Sequence, residues 1–106
     1  MIEDEKIIQL INDAEFLLEG LPKGFWRLIK LSPLEIWETA EDFGLEYVWV
    51  VAIMGNRCVF YDEQKEGFAI SKYDVHGELG ENSLVGNIQP LTDLAECIVH
   101  SRFVIS

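Results

Sequence analysis

Residues 47 to 54, Tyr-Val-Trp-Val-Val-Ala-Ile-Met, form an uninterrupted apolar run that stops at Gly55-Asn56. The run is strand-length and rich in β-branched and aromatic side chains. A strand apolar at successive positions buries both faces, so it belongs in the middle of a sheet covered on both sides. Gly55-Asn56 has the chemistry of a two-residue hairpin turn. Cys58 to Tyr61 then returns antiparallel, Asp62 to Gly67 forms a polar hairpin loop, and Phe68 to Tyr73 supplies a third strand. A three-strand meander over 47–73 is the frame around which the rest of the chain must pack.

The flanking segments predict helices. Ile7, Ile8, Leu10, Ile11, Ala14, Leu17 and Leu18 recur at helical spacing over 3–19, with Glu3, Asp4 and Glu5 in the first turn, where the helix dipole favours negative charge. Gly20 can end that helix in the left-handed conformation, and Pro22 is expected to prevent a restart. Residues 25–31 read as a short strand. Ser32-Pro33-Leu34-Glu35 has the pattern of a helix start, with a serine cap, proline in the first position and a glutamate reaching back. It predicts a second helix over 33–43, stopped by Gly44. Residues 74–89, with Gly77, Gly80 and Gly86 among polar residues, read as a mobile loop. Pro90 opens a third helix over 90–100, with Leu91, Leu94, Ala95, Ile98 and Val99 inward. The tail Arg102 to Ser106 reads as a short edge strand or a frayed end. The expected fold is α+β: one globular domain over 1–106, with an antiparallel sheet of about four strands and about three helices.

Composition narrows the function. The 106 residues include 19 Asp and Glu against 8 Lys and Arg, a net charge of −11. That sign disfavours nucleic acid and anionic membranes and favours a basic partner. No apolar run approaches the ~20 residues of a membrane span. The N-terminal Met1-Ile2-Glu3-Asp4-Glu5 lacks the basic n-region and apolar stretch of a secretory signal, so the cytoplasm is the expected location. Cys58 and Cys97 lie among apolar neighbours and read as reduced core residues. Trp49 is expected in the core, with Trp26 and Trp37 packed beneath the second helix.

Catalytic patterns are absent from the sequence. His76 and His100 have no partner at metal-ligand spacing; the first reads as solvated and the second as a structural residue near a helix C-terminus. There is no phosphate-cradling glycine loop and no Gly-x-Ser-x-Gly elbow. Paired carboxylates are plentiful, but acid/base catalysis needs one of them desolvated in a cleft. The expectation is therefore no catalytic residue, no metal, no cofactor and no small-molecule substrate.

The acids do fall into two groups. Glu35, Glu38, Glu41, Asp42 and Glu46 form one. Asp62, Glu63, Glu66, Asp74, Glu78 and Glu81 form another at the ends of the meander, interleaved with Tyr61, Phe68 and Tyr73. Aromatic rings beside acids suit a protein interface, where the ring supplies buried area and the carboxylate meets an Arg or Lys opposite. The candidate partner-binding residues are Tyr61, Asp62, Glu63, Glu66, Tyr73, Asp74 and Glu78, with the first acidic group as the competing surface.

The meander, Val48-Trp49-Val50-Val51 into Gly55-Asn56-Arg57, then Val59-Phe60-Tyr61-Asp62, then Glu66-Gly67-Phe68-Ala69-Ile70-Ser71-Lys72-Tyr73 and Gly77, resembles bacterial immunity proteins of polymorphic-toxin and contact-dependent growth inhibition systems. The likeness covers about a third of the chain and transfers no residue roles. It implies a cytoplasmic protein that binds a basic protein toxin domain, typically a nuclease, and neutralises it stoichiometrically. Two other classes stay open at this point: an acidic adaptor or secretion chaperone, and a small acid/base enzyme or ligand-binding domain.

Overall fold

The structure, a computed structural model, describes residues 3–41, 44, 46–80 and 84–100, with His100 described by its backbone only. Asp42, Glu81, the tail 102–106 and the His100 side chain, all of which carried expectations, lie outside what is described. The elements in chain order are α1 (Asp4–Leu17), α2 (Gly20–Ile29), β1 (Lys30–Thr39), β2 (Tyr47–Met54), β3 (Arg57–Asp62), β4 (Gly67–Lys72), β5 (Glu78–Leu79), β6 (Leu84–Gln89) and α3 (Leu91–His100). The six strands make one sheet in the order β5-β1-β2-β3-β4-β6. A Cα radius of gyration of 12.9 Å is about what one folded unit of this length has. The fold is α+β.

The meander stands where its sequence puts it. β2 is interior, with β1 on one side and β3 on the other. Its pairing with β3 runs Trp49↔Tyr61, Val50↔Phe60, Ala52↔Val59, with a bulge between Val50 and Ala52. The bulge changes which face each side chain takes. Val48 and Val50 enter one core, whereas Val51 and Ala52 both enter the other. β3 keeps strict alternation: Val59 and Tyr61 face one side, Cys58 and Phe60 the other.

Two cores result. On one face, Ile7, Ile11, Ala14 and Leu18 of the first helical region, Trp26 and Ile29 of α2, and Leu91, Leu94, Ala95 and Ile98 of α3 pack on Val51, Val59, Tyr61 and Phe68. On the opposite face, Trp37, Val48, Val50, Cys58, Phe60, Ala69 and Leu79 form a second cluster with Leu31, Ile53, Tyr73 and Ile88 against it. Among the described residues no helix covers this second face. The chain itself does: it leaves β4 at Lys72, crosses by Tyr73–Gly77, and joins β1 in parallel through Glu38↔Glu78 and Thr39↔Leu79.

The structure corrects several expectations. Residues 33–43 are not a helix; Lys30–Thr39 is strand β1. Its backbone pairs with the buried β2 through Ile36↔Trp49, Trp37↔Val48 and Glu38↔Tyr47. Leaving that edge of β2 unpaired would strand buried polar groups, and this outweighs the local cap pattern at Ser32-Pro33. Pro33, which has no N–H to give, falls in the irregular stretch between Lys30 and Glu35, where the register shifts; the Ser32–Pro33 peptide is cis.

Residues 25–29 are helical, in α2, rather than a strand. Gly20 does adopt φ +62, yet it turns the chain straight into a new helix. Pro22 is tolerated because it sits in the first turn of α2, where N–H groups have no intrahelical partner.

The segment 74–89 holds two strands. β6 pairs with β4 through Ile70↔Val85 and Phe68↔Gln89, with the register shift between them absorbed around Gly86 at φ +78. The glycines that read as loop are here the sites of turn and bulge. The parallel β1–β5 pair also makes the sheet mixed, with six strands where about four antiparallel ones were expected.

Finally, Cys97 is exposed, its Sγ 4.0 Å from Gln89 Oε1, whereas Cys58 is buried; both are free thiols. Trp26 and Trp37 are each 1% exposed, on opposite faces of the sheet, while Trp49 is only half-buried against the helix-side core.

Candidate protein-binding surface

The residues singled out from the sequence do not all face outward. Tyr61 and Asp62 are 6% and 7% exposed. The Tyr61 ring packs edge-on to Phe68 at 5.0 Å between centroids. Burial, together with the nearby Glu66, Glu63 and Asp62 carboxylates, pushes its hydroxyl above the ordinary tyrosine range. Asp62 Oδ1 accepts hydrogen bonds from Gln64 N at 2.9 Å and Lys65 N at 3.0 Å, so this carboxylate shapes the turn from inside. Tyr61 and Asp62, both named as candidate partner-binding residues, are turned inward: strand parity directs Tyr61 into the core, and the turn uses Asp62 for its own N–H groups. Glu63 is half-buried, and Glu66, at φ +52, is exposed.

Tyr73, Asp74 and Glu78 sit on the crossing segment. Tyr73 is half-buried, donates from its hydroxyl to Gly55 O at 2.8 Å, and stands edge-on to Trp37 at 5.0 Å. Asp74 and Glu78 are exposed. Because β5 pairs with β1, Glu78 lies beside Glu38. The two acidic groups that looked like rival surfaces in the sequence therefore meet. Glu38, Asp74 and Glu78 line one open depression of about 340 Å³, with Val75, Leu79 and Gly80 among its other walls. Val75 is 57% exposed.

The same register polarises the sheet. Glu38 opposes Tyr47 at the start of β2, Thr39 N donates to Glu46 O, and Gln64 Nε2 reaches Gly44 O. These contacts bring the end of β1, Glu41, Gly44 and Glu46, the 62–66 turn and β5 to one end of the molecule, which carries Glu38, Glu41, Glu46, Glu63, Glu66 and Glu78 with Lys65 among them. At the opposite end Arg57 faces Lys72 across β3 and β4, and Lys30 faces Ala52.

A cluster invisible in the sequence lies beside the depression. Glu35 Oε1 accepts from Trp37 Nε1 at 2.9 Å and from His76 Nε2 at 2.8 Å. The His76 ring lies over Trp37 at 4.8 Å between centroids. His76, expected to be simply solvated, is exposed yet partnered. The signal was obscured by the helical reading of 33–43: in a strand, Glu35 and Trp37 are two apart and share a face.

Chemically, exposed carboxylates around an open apolar-floored depression suit the cationic side chains of a protein partner. They do not supply the desolvated acid that hydrolysis needs. Among the described residues no group of three or more His, Cys, Asp or Glu is placed to hold a metal ion, and no helix is long and apolar enough to cross a membrane. No protein-family model, curated protein or solved structure matches the chain, so its surface chemistry carries the functional reading by itself.

Proposed function

We propose that the protein is an immunity protein that binds a cognate basic toxin domain, a nuclease, and neutralises it in the cytoplasm by stoichiometric protein–protein inhibition, with no turnover of its own. The observation that carries this reading is the convergence of acids from β1, Glu41 and Glu46, the 62–66 turn and β5 on one end of a molecule of net charge −11. Such a field speeds capture of a basic partner and competes with the polyanion that a nuclease site attracts. The contact surface is centred on Glu38, Asp74, Val75 and Glu78, with Tyr73 at its margin and Glu63 and Glu66 on the neighbouring turn.

The test is co-expression with the toxin domain encoded beside the gene, together with 1:1 binding measured at two salt concentrations. E38K/D74K/E78K is expected to abolish protection and to slow association, with a weaker salt dependence than the wild type. Reversal of Glu63 and Glu66 alone is expected to have a smaller effect. Absence of wild-type protection and of 1:1 binding rejects the reading.

A second reading has one observation in its favour. An imidazole oriented by a carboxylate, as His76 is by Glu35, is a common general acid/base arrangement. Hydrolytic activity of the purified chain that is lost in H76A would favour an enzyme.

A further inference from the structure

We infer that α1 and α2 form a self-complementary face on which a second copy of this chain docks. Phe16, Leu17, Leu21 and Leu28 are 86%, 71%, 68% and 82% exposed. Isolated exposed leucines need no explanation, but these are not isolated. Phe16, Leu17 and Leu21 fall within six residues around the α1–α2 corner, where Gly20 turns the chain. Leu21 and Leu28 stand seven apart on one stripe of α2, to the side of the stripe of Trp26 and Ile29 that fills the core. Together the four side chains present several hundred Å² of apolar surface, the order of size at which a patch marks an interface.

Charge identifies the occupant. α2 carries Lys23 and Arg27 and no acid, in a chain with 19 acids and 8 cations. The adjoining α1 corner carries exposed Asp13 and Glu19. A basic toxin would meet Lys23 and Arg27 as like charges. An anionic membrane would meet Asp13, Glu19 and the overall net charge of −11. A second copy related by a twofold axis carries the same net charge, but its local surface is matched: Lys23 and Arg27 of each protomer face Asp13 and Glu19 of the other, around a shared apolar centre. Isologous interfaces have this self-complementary form. This face is separate from the acidic end of the sheet and does not depend on the toxin-binding proposal.

The experiment is sedimentation velocity on the full chain from about 1 to 200 μM, with circular dichroism as the control for folding. The wild type is expected to pass with concentration from 12.1 kDa toward twice that mass, and L21E/L28E to remain monomeric with an unchanged spectrum. K23E/R27E and D13K/E19K are each expected to remain monomeric alone and to form a 1:1 heterodimer when mixed. A wild type that stays monomeric throughout, an L21E/L28E variant that still dimerises, or a mixture of the charge variants that does not associate overturns the proposal. So does a monomeric wild type that sediments with vesicles of phosphatidylserine and phosphatidylcholine.

Discussion

His76 Nε2 lies 2.8 Å from Glu35 Oε1, although the two residues are 41 apart in the chain. The same oxygen holds the Trp37 indole N–H at 2.9 Å. One carboxylate on β1 thus fastens both the largest side chain of the second core and the segment that crosses it. The pair is exposed, with side chains 60% and 39% accessible, so its direct contribution to stability is small. Its consequence is positional. It holds Asp74 and Glu78 beside Glu38, where two separate stretches of acidic sequence become one surface.

Trp37 and Trp49 separate the two kinds of tryptophan in the sheet. Trp37 is 1% exposed, and Trp37→Ala is expected to cost about 3–5 kcal/mol. Trp49 is half-buried, and Trp49→Ala is expected to cost at least ~1 kcal/mol less than that. Urea denaturation of the two variants, fitted with a common slope, measures the difference. Equal losses would mean that the second face is not a full core.

Asp62 is a structural carboxylate. Removing its oxygen leaves the Gln64 and Lys65 N–H groups without their acceptor, so Asp62→Ala is expected to lower stability by about 1.5–3 kcal/mol. Asp62→Asn keeps an acceptor oxygen and is expected to lose less. Thermal unfolding of both variants gives the comparison. The result also decides design: charge reversal at Asp62 would confound binding with folding, whereas Glu38 and Glu78 avoid that problem.

Gly67 opens β4 where β6 crosses closest. A Cβ there would stand 2.5 Å from Ile88 Cγ2 and 3.3 Å from Gln89 O. Gly67→Ala is therefore expected to destabilise by about 1–3 kcal/mol through the shift forced on β6. Paired Gly67→Ala/Ile88→Ala, which removes the obstructing methyl, is expected to cost less than the sum of the two single changes. Denaturant midpoints of the three variants test this.

Cys58 gives the protein an alkaline limit. Burial raises its thiol from the ordinary 9.0 to about 12, only partly offset by a backbone hydrogen bond at Ser71. Below pH 9 the thiol is protonated in both folded and unfolded chains, and stability is unaffected. Between pH 9 and about 12 the unfolded chain releases the proton and the folded one keeps it, so stability falls as pH rises, by up to about 1.4 kcal/mol per unit. Unfolding free energies at pH 8 and pH 10.5 are expected to differ more in the wild type than in Cys58→Ala. At pH 8, a thiol-specific reagent is expected to label Cys97 quickly and Cys58 only on unfolding.

Local sequence determined the parts whose signals concern immediate neighbours. The unbroken apolar run of Tyr47–Met54, the Gly55-Asn56 turn, the returning strands and the apolar stripe of α3 follow from periodicity and turn chemistry, and all are present in the structure, whereas of the α1 stripe Ile7, Ile11, Ala14 and Leu18 are buried and Ile8, Leu10 and Leu17 are exposed. Tertiary structure decided what local patterns leave degenerate. Ser32-Pro33-Leu34-Glu35 satisfies a helix-start rule worth about 1 kcal/mol, but the open edge of β2 needs a whole row of backbone partners, and the larger demand makes β1 a strand. The glycines of 74–89 permit a loop or a bulged strand equally, and the unpaired edge of β4 chooses the strand. Charge totals are likewise fixed by sequence, whereas charge placement is not: the acids of 35–46 and 74–78 become one surface because β5 pairs in parallel with β1, a contact between residues 40 apart that no local spacing encodes.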